Sequence, residues 1–143
     1  MKKIKTEIVI DKDVSTVWNV LTDFESYPNW NPFVRSIEGE KYIGKKESVT
    51  CNTAGGKMVS FKPIIIKLET DREFRWKGKL GFRGIFDGQH YFKLEKMGEN
   101  QTKFIHGEDM SGVLVSLMGK TLNKMNDSFE MMNEALKKEC EKN

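Results

Sequence analysis

The amino-terminal part of the chain carries two amphipathic patterns in succession. Apolar or small residues alternate with charged ones over Lys3–Ile10, which predicts a strand with one buried face. Asp13 can then cap a helix, and the apolar residues after it are spaced by three and four positions. The residues on the strand face are Ile4, Thr6, Ile8 and Ile10, and those on the helix stripe are Val14, Val17, Trp18 and Leu21.

A proline-rich, aromatic link follows this helix. Its central part is the sequence YPNWNPF, Tyr27 to Phe33. Proline has no amide hydrogen and restricts the residue before it, so Pro28 and Pro32 leave room for at most one turn of helix. We expect the link to be stiff and to close one end of the sheet, with Trp30 or Pro32 as the part that can touch a ligand.

The middle of the chain alternates in short runs that are separated by glycines and charged residues. Runs of this length with turns between them predict antiparallel strands connected by hairpins. The six predicted strands are Phe33–Tyr42, Glu47–Thr53, Met58–Glu69, Glu73–Leu80, Ile85–Met97 and Gln101–Ser111.

After Gly112 the apolar period changes to three and four, which predicts a long amphipathic helix to the end of the chain. With the first strand, the chain then has seven strands and one long helix, an α+β order. A curved antiparallel sheet would wrap around the carboxyl-terminal helix, with one or two short helices between the first two strands, as a single domain of residues 1–143. Such a sheet can leave a ligand cavity beneath the helix. The apolar stripe of that helix contains Met118, Leu122, Met125, Phe129, Met132 and Leu136.

Composition restricts the function classes. The 24 Lys and Arg residues exceed the 21 Asp and Glu residues by only 3, and they form no basic stripe, so we expect no nucleic-acid partner. Cys51 and Cys140 match no metal-binding spacing, and no apolar run approaches the length of a bilayer span. We expect a cytoplasmic protein with free thiols and no stable membrane insertion, either a monomer or a weak homodimer.

Four segments carry a resemblance to a known group of proteins. The segments are VWNVLTD from Val17, YPNWNPF from Tyr27, FDGQHYF from Phe86 and TKFIHGEDMSG from Thr102. In this element order the chain resembles the helix-grip superfamily, which includes START lipid-transfer domains, the birch-pollen allergen, and bacterial polyketide cyclases and dehydrases. It is most similar to the small bacterial polyketide cyclase/dehydrase-like branch. The Trp-Asn-Pro sequence at Trp30 differs from the Trp-aromatic pair of Hsp90-activator-like members.

The polar residues of the last two predicted strands form the best candidate for chemistry. In one strand His90 shares a face with Phe92, and in the next His106 and Glu108 share a face with Phe104. If the strands pair, the two histidines and the carboxylate converge on the concave side, where they can hold a ligand or move a proton. Alternatively, the histidines are satisfied within the core or lie in water at the rim.

The expected ligand contacts are mostly large apolar side chains. Methionine adapts to irregular ligands, although any one of these side chains can equally be part of a filled core. The expected contacts are Trp30, Phe61, Trp76, Phe82, Phe86, His90, Phe92, His106, Glu108, Met118, Leu122, Met125 and Phe129. Arg35 either points inward toward Glu108 or lies at the surface. We expect no metal and no cofactor, since no spacing specific for either is present.

Three function hypotheses follow from these patterns. The first is binding of a hydrophobic or amphipathic small molecule of the lipid, polyketide or isoprenoid type. The second is a cyclase or dehydrase in which His90, His106 or Glu108 transfers a proton, so whether the protein is an enzyme stays open. The third is a protein-interaction module of the Hsp90-activator-like type.

Overall fold

The computed structural model describes residues 2–53, 56–80, 84 and 86–142, and for Lys79, Leu80 and Phe86 it describes the backbone only. Phe82, a predicted ligand contact, therefore lies outside the described residues, as does the side chain of Phe86. The strands are β1 Lys2–Ile10, β2 Val34–Glu38, β3 Ser48–Asn52, β4 Met58–Phe61, β5 Ile64–Glu69, β6 Glu73–Leu80, β7 Phe86–Gly98 and β8 Gln101–Ser111. The helices are α1 Val14–Thr22, α2 Tyr27–Trp30 and α3 Gly119–Glu141, with 3₁₀ turns at Phe24–Ser26 and Val115–Leu117.

The strands form two antiparallel sheets. One sheet has the order β1-β8-β7-β6-β5, and the other has the order β2-β3-β4. An isolated bridge between Lys46, just before β3, and Ile64 of β5 links the two sheets. The α+β architecture with a long carboxyl-terminal helix is the one predicted. The described residues contain eight strands rather than seven, because the predicted strand Met58–Glu69 is divided before Pro63, which has no amide hydrogen to donate to a ladder.

Helix α1 forms as its sequence pattern predicts. Asp13 accepts a hydrogen bond from the amide of Thr16 at 3.1 Å, which satisfies a free donor of the first turn. Val17, Trp18 and Leu21 are buried against the sheet.

The link between α1 and β2 is held by side-chain hydrogen bonds to the backbone. The hydroxyl of the fully buried Tyr27 donates to the carbonyl of Leu21. Asn31 Oδ1 accepts from the amides of Phe33 at 3.0 Å and Val34 at 2.9 Å. Arg35, half-buried, donates to the carbonyls of Asn31 at 2.7 Å and Pro28 at 3.0 Å, which lie in the link rather than in the last two strands. These hydrogen bonds restrain the link on both sides of Asn31, and its stiffness stays a prediction.

The two halves of α3 differ in burial. Its buried residues all lie between Ser128 and Cys140, while Leu122 and Met125 on the same stripe are only half-buried. The carboxyl-terminal half is thus packed on the core, and the amino-terminal half leaves its apolar face partly open.

Candidate functional site

His90, His106 and Glu108 lie together on the inner face of the larger sheet. His90 of β7 is paired with Glu108 of β8, and Phe92 is paired with His106. Residues directly opposite each other in an antiparallel pair point to the same face, so the three polar side chains meet under α3. Gly107 lies in regular register between them, without the bulge that would have turned them outward.

The three side chains form a continuous hydrogen-bonded chain. Nδ1 of His90 lies 3.0 Å from Oε1 of Glu108, and Nε2 of His90 lies 2.6 Å from Nε2 of His106. The His90 and His106 rings are 4 % and 0 % exposed. With their Nε2 atoms in direct contact, the two imidazoles leave no space for a metal ion between them.

Two further residues, Asn133 and Thr6, extend this chain. Nδ1 of His106 lies 2.9 Å from Oδ1 of Asn133 on α3, and Asn133 Nδ2 donates to Thr6 Oγ1 at 2.8 Å. The Thr6 hydroxyl donates to the backbone carbonyl of His106 at 2.8 Å. Sequence reasoning placed Thr6 on the buried face of β1 but gave it no role, and it missed Asn133. The sequence signals for these residues were their positions. Thr6 lies between Ile4 and Ile8 on the buried face of β1, and Asn133 comes directly after Met132 of the apolar stripe on α3.

Burial makes the neutral forms of these groups the favoured ones. It lowers the pKa of His90 to about 3, and it lowers the pKa of His106, with the neighbouring His90 as a smaller cause. It raises the pKa of Glu108 to about 7, with the charge of Asp109 as a smaller cause. The contact between His90 and Glu108 is short enough for an ion pair, but both pKa shifts oppose charge. Below about pH 7, the contact is therefore a hydrogen bond between a neutral His90 and a protonated Glu108.

Aromatic rings surround the polar chain and fill the middle of the fold. His106 stacks on Phe129 with ring centroids 4.3 Å apart, and His90 stacks on Phe92 at 4.5 Å. Phe33, the last residue of the stiff link, packs on Phe129 at 5.5 Å. Phe92, His106 and Phe129 are 0–1 % exposed. These three rings are packed in the core in this structure, with Phe33 against Phe129, and their contact with a ligand stays a prediction.

Other predicted ligand contacts have accessible surface. Phe61, Met118, Leu122 and Met125 are half-buried. Phe61 contacts Trp76 at 6.1 Å between ring centroids, and Trp76 contacts His90 at 5.1 Å. The Glu108 side chain keeps 11 % exposure. The half-buried Phe61 is thus connected to His90 of the polar chain through the Trp76 ring.

Trp30 is separate from this group. It contacts Tyr27 and lines a groove of about 580 Å³ with Ala135 and Lys138, beside the carboxyl-terminal half of α3. A second groove, of about 810 Å³, lies between α3 and β1 and has Asn133 in its wall. Both are open surface grooves, distinct from the predicted cavity between sheet and helix.

Sequence comparison identifies the family of the chain. The model of the family described as polyketide cyclase / dehydrase and lipid transport matches residues 1–142. The chain belongs to this family. No curated protein matches the sequence.

Several solved structures share the fold of this chain. An aromatase/cyclase, Zhui, from Streptomyces sp. R1128 superposes with a TM-score of 0.77 at 12 % identity, covering 99 % of this chain and 94 % of the other. A START superfamily protein from Mycobacterium smegmatis gives 0.66 at 18 %, covering 94 % and 98 %. A protein from Mesorhizobium loti gives 0.74 at 12 %, covering 96 % and 95 %. At these identities the likeness is one of fold. Among the described helices, none has the length and apolar character needed to cross a membrane.

Proposed function

We propose that the protein binds a hydrophobic or amphipathic small molecule of the lipid, polyketide or isoprenoid type. The supporting observation is the contrast within α3. Leu122 and Met125 continue the apolar stripe that Phe129 and Met132 bury, but they keep accessible surface. Apolar surface that is left open beside a packed core favours an apolar ligand, since covering it removes that surface from water.

The proposed ligand lies along the amino-terminal half of α3, with its polar end at Glu108. Met118, Leu122 and Met125 are its proposed contacts on α3, and Phe61, which packs on the buried Trp76, is its proposed contact on β4. Glu108 is the accessible end of the buried polar chain, since its side chain keeps 11 % exposure while His106 has none. A few polar groups at one end of an apolar surface are typical of small-molecule sites.

Native mass spectrometry of freshly purified protein, followed by solvent extraction, is the direct test. We expect a mass above that of the chain alone and an apolar compound in the extract. Leu122→Asp places a charge among the proposed contacts on α3 and should abolish retention and weaken binding of an environment-sensitive fluorescent fatty acid. Met131→Asp is the matched control, because Met131 is an exposed residue of the same helix outside these contacts. Equal effects of the two variants would contradict the location.

Acid–base catalysis of the cyclase or dehydrase type is a second candidate, which the chain from Glu108 to His106 favours. A carboxyl with a pKa of about 7 is suited to proton transfer near neutral pH. The test is deuterium exchange at the acidic methylene of an alkyl 1,3-diketone in D₂O. We expect Glu108→Gln to stop protein-dependent exchange while binding of the diketone persists. Exchange that continues in this variant would exclude Glu108 as the base.

A cytoplasmic location is part of the proposal. Cys51 and Cys140 are both buried and form no disulfide, which suits a reducing compartment.

A further inference from the structure

We infer that Thr6, acting through Asn133, fixes the direction of the buried hydrogen-bond chain, so that Glu108 donates from Oε1 to His90 and offers Oε2 to the ligand as an acceptor. The proposed ligand would then end in a neutral hydroxyl or enol rather than in a carboxylate. The second statement rests on the proposed ligand site, whereas the direction of the chain is a property of the protein alone.

The direction starts at a group that has only one role. The backbone carbonyl of His106 can accept a hydrogen bond but cannot donate one. Thr6 Oγ1 lies 2.8 Å from it, so the single hydroxyl hydrogen of Thr6 is used in this contact. Thr6 Oγ1 must then accept from its other neighbour, Asn133, at 2.8 Å. The amide nitrogen of Asn133 therefore faces Thr6, and its oxygen faces His106.

With both imidazole rings neutral, each remaining hydrogen then has one possible position. Asn133 Oδ1 accepts only, so Nδ1 of His106 carries a hydrogen. In a neutral ring the other nitrogen is bare, and Nε2 of His106 accepts from Nε2 of His90 across 2.6 Å. Since His90 carries its hydrogen on Nε2, its Nδ1 carries none and can only accept a hydrogen bond.

The last hydrogen of the chain must come from Glu108, through Oε1 at 3.0 Å from His90. Oε2 of Glu108 makes no hydrogen bond to the described residues and is not among their fully buried unpaired polar atoms. It is therefore an available acceptor at the accessible end of the chain.

The surroundings of the two rings and of Glu108 favour the neutral state that this direction requires. Burial of both rings lowers the pKa of each and disfavours a ring with two hydrogens. Among the described residues, His90 on β7 and the Cys51 thiol on β3 lie near the Glu108 carboxyl, and Ile4 is opposite Glu108 on β1. Asp109, the next residue in β8, acts on it only through its charge, because neighbouring residues of a strand point to opposite faces. The charge of Asp109 and the burial of Glu108 both favour its protonated form.

With both rings neutral, ionisation of Glu108 would demand a rearrangement of the whole chain. A carboxylate at Oε1 would need a hydrogen on His90 Nδ1, which leaves His90 Nε2 without one, and His106 Nε2 would then have to carry the hydrogen between the rings. Asn133 would have to turn its amide group, and Thr6 would have to leave the His106 carbonyl. Removing the Thr6 hydroxyl therefore removes the restraint on direction without altering either histidine.

Selective ¹⁵N labelling of histidine gives a direct test, because the chain has 2 histidines and both lie in this cluster. Between about pH 3 and about pH 7, the range set by the pKa values of His90 and Glu108, we expect His90 with hydrogen on Nε2 and His106 with hydrogen on Nδ1. Thr6→Val should mix the two tautomers of each ring, and Thr6→Ser should restore single tautomers. The reverse pair of tautomers in the unaltered protein would overturn the inference, as would unchanged tautomers in Thr6→Val. The measurement on the unaltered protein decides the direction even if Thr6→Val fails to fold.

A second arm tests the ligand class. On the acid side of about pH 7, a long-chain alcohol should bind about tenfold more tightly than the carboxylate of equal chain length. A preference for the carboxylate would overturn the ligand-class inference. Failure of both to bind would instead count against the proposed function, while the tautomers would still report the direction of the chain.

Discussion

Nε2 of His90 lies 2.6 Å from Nε2 of His106, so one imidazole donates to the other and the two rings cannot share a tautomer. Both rings belong to paired strands, and both are enclosed by phenylalanine. The arrangement joins a polar network to an aromatic core, and its stability should depend on both.

Replacement of Glu108 by Gln should alter the dependence of stability on pH. The folded protein holds the Glu108 proton up to about pH 7, whereas the ordinary pKa is 4.5. Between these values the unfolded chain binds fewer protons, so Glu108 destabilises the fold increasingly as pH rises. Glu108→Gln should therefore gain up to about 3 kcal/mol over the unaltered protein across this range, with no further change above it. Urea unfolding at several pH values measures the gain. Glu95→Gln, the same change at an exposed position of β7, is the control variant. A gain that falls with pH in Glu108→Gln would contradict the assignment.

The two buried histidines should make the protein sensitive to acid. Their pKa values lie below the ordinary 6.5, with that of His90 at about 3. As pH falls below 6.5, the histidines of the unfolded chain bind protons while those of the folded protein stay neutral. The free energy of unfolding therefore decreases. Unfolding curves in the Glu108→Gln background isolate this effect from that of the carboxyl. A constant free energy of unfolding from pH 7 to pH 4.5 would show that the rings are not held neutral.

Truncation of Phe129 should strongly destabilise the protein. Its ring is 1 % exposed and stacks on His106, so Phe129→Ala leaves a cavity beside a polar network. We expect a loss of about 3–5 kcal/mol in chemical unfolding. Leu117→Ala removes an apolar side chain that is 80 % exposed and should change stability by less than about 0.5 kcal/mol. A small loss for Phe129→Ala would mean that the space beneath α3 is not filled.

Asn31→Ala tests the stiffness of the link before β2. Oδ1 of Asn31 accepts from two backbone amides, of Phe33 and Val34, which would lose their partner. The expected cost is about 1–3 kcal/mol. Asn29→Ala, an exposed residue of the same type in the same link, provides the control and should be nearly neutral. Faster amide exchange of Phe33 and Val34 in Asn31→Ala would locate the effect, and protected amides would refute it.

Gly107→Ala should disturb the strand pair that carries the histidine and the carboxylate. A Cβ atom there would collide with the carbonyl of Ile4 on β1 and with the Tyr91 ring. The Ile4 carbonyl belongs to the backbone of β1 and cannot rotate away as a side chain can. Strand β1 would therefore have to move away from β8, which weakens their pairing and should lower the melting temperature. Gly98→Ala adds a methyl with no neighbour within 4 Å and should be tolerated far better. Equal melting temperatures for the two variants would rule out the close approach.

Strand alternation predicted the face on which His90, His106 and Glu108 lie, because a period of two allows only two faces. The residues that complete the network were not predictable in this way. Asn133 comes from a helix whose apolar stripe was identified from its apolar members alone, and its contact with His106 depends on how α3 crosses the sheet. Phe33 was expected to close the end of the sheet, yet it packs among the central rings. Which side chains fill a space depends on packing in three dimensions, which no periodicity records.

The hydrogen bond from Asn133 to Thr6 joins residues that are 127 positions apart in the chain. Lys137 likewise donates to the carbonyl of Val9 at 2.9 Å. The first strand and the last helix must therefore meet before the polar network exists, and contacts of such long sequence separation are formed slowly. Until then the two histidines are exposed to water with ordinary basicity, so their loss of basicity marks the completion of folding.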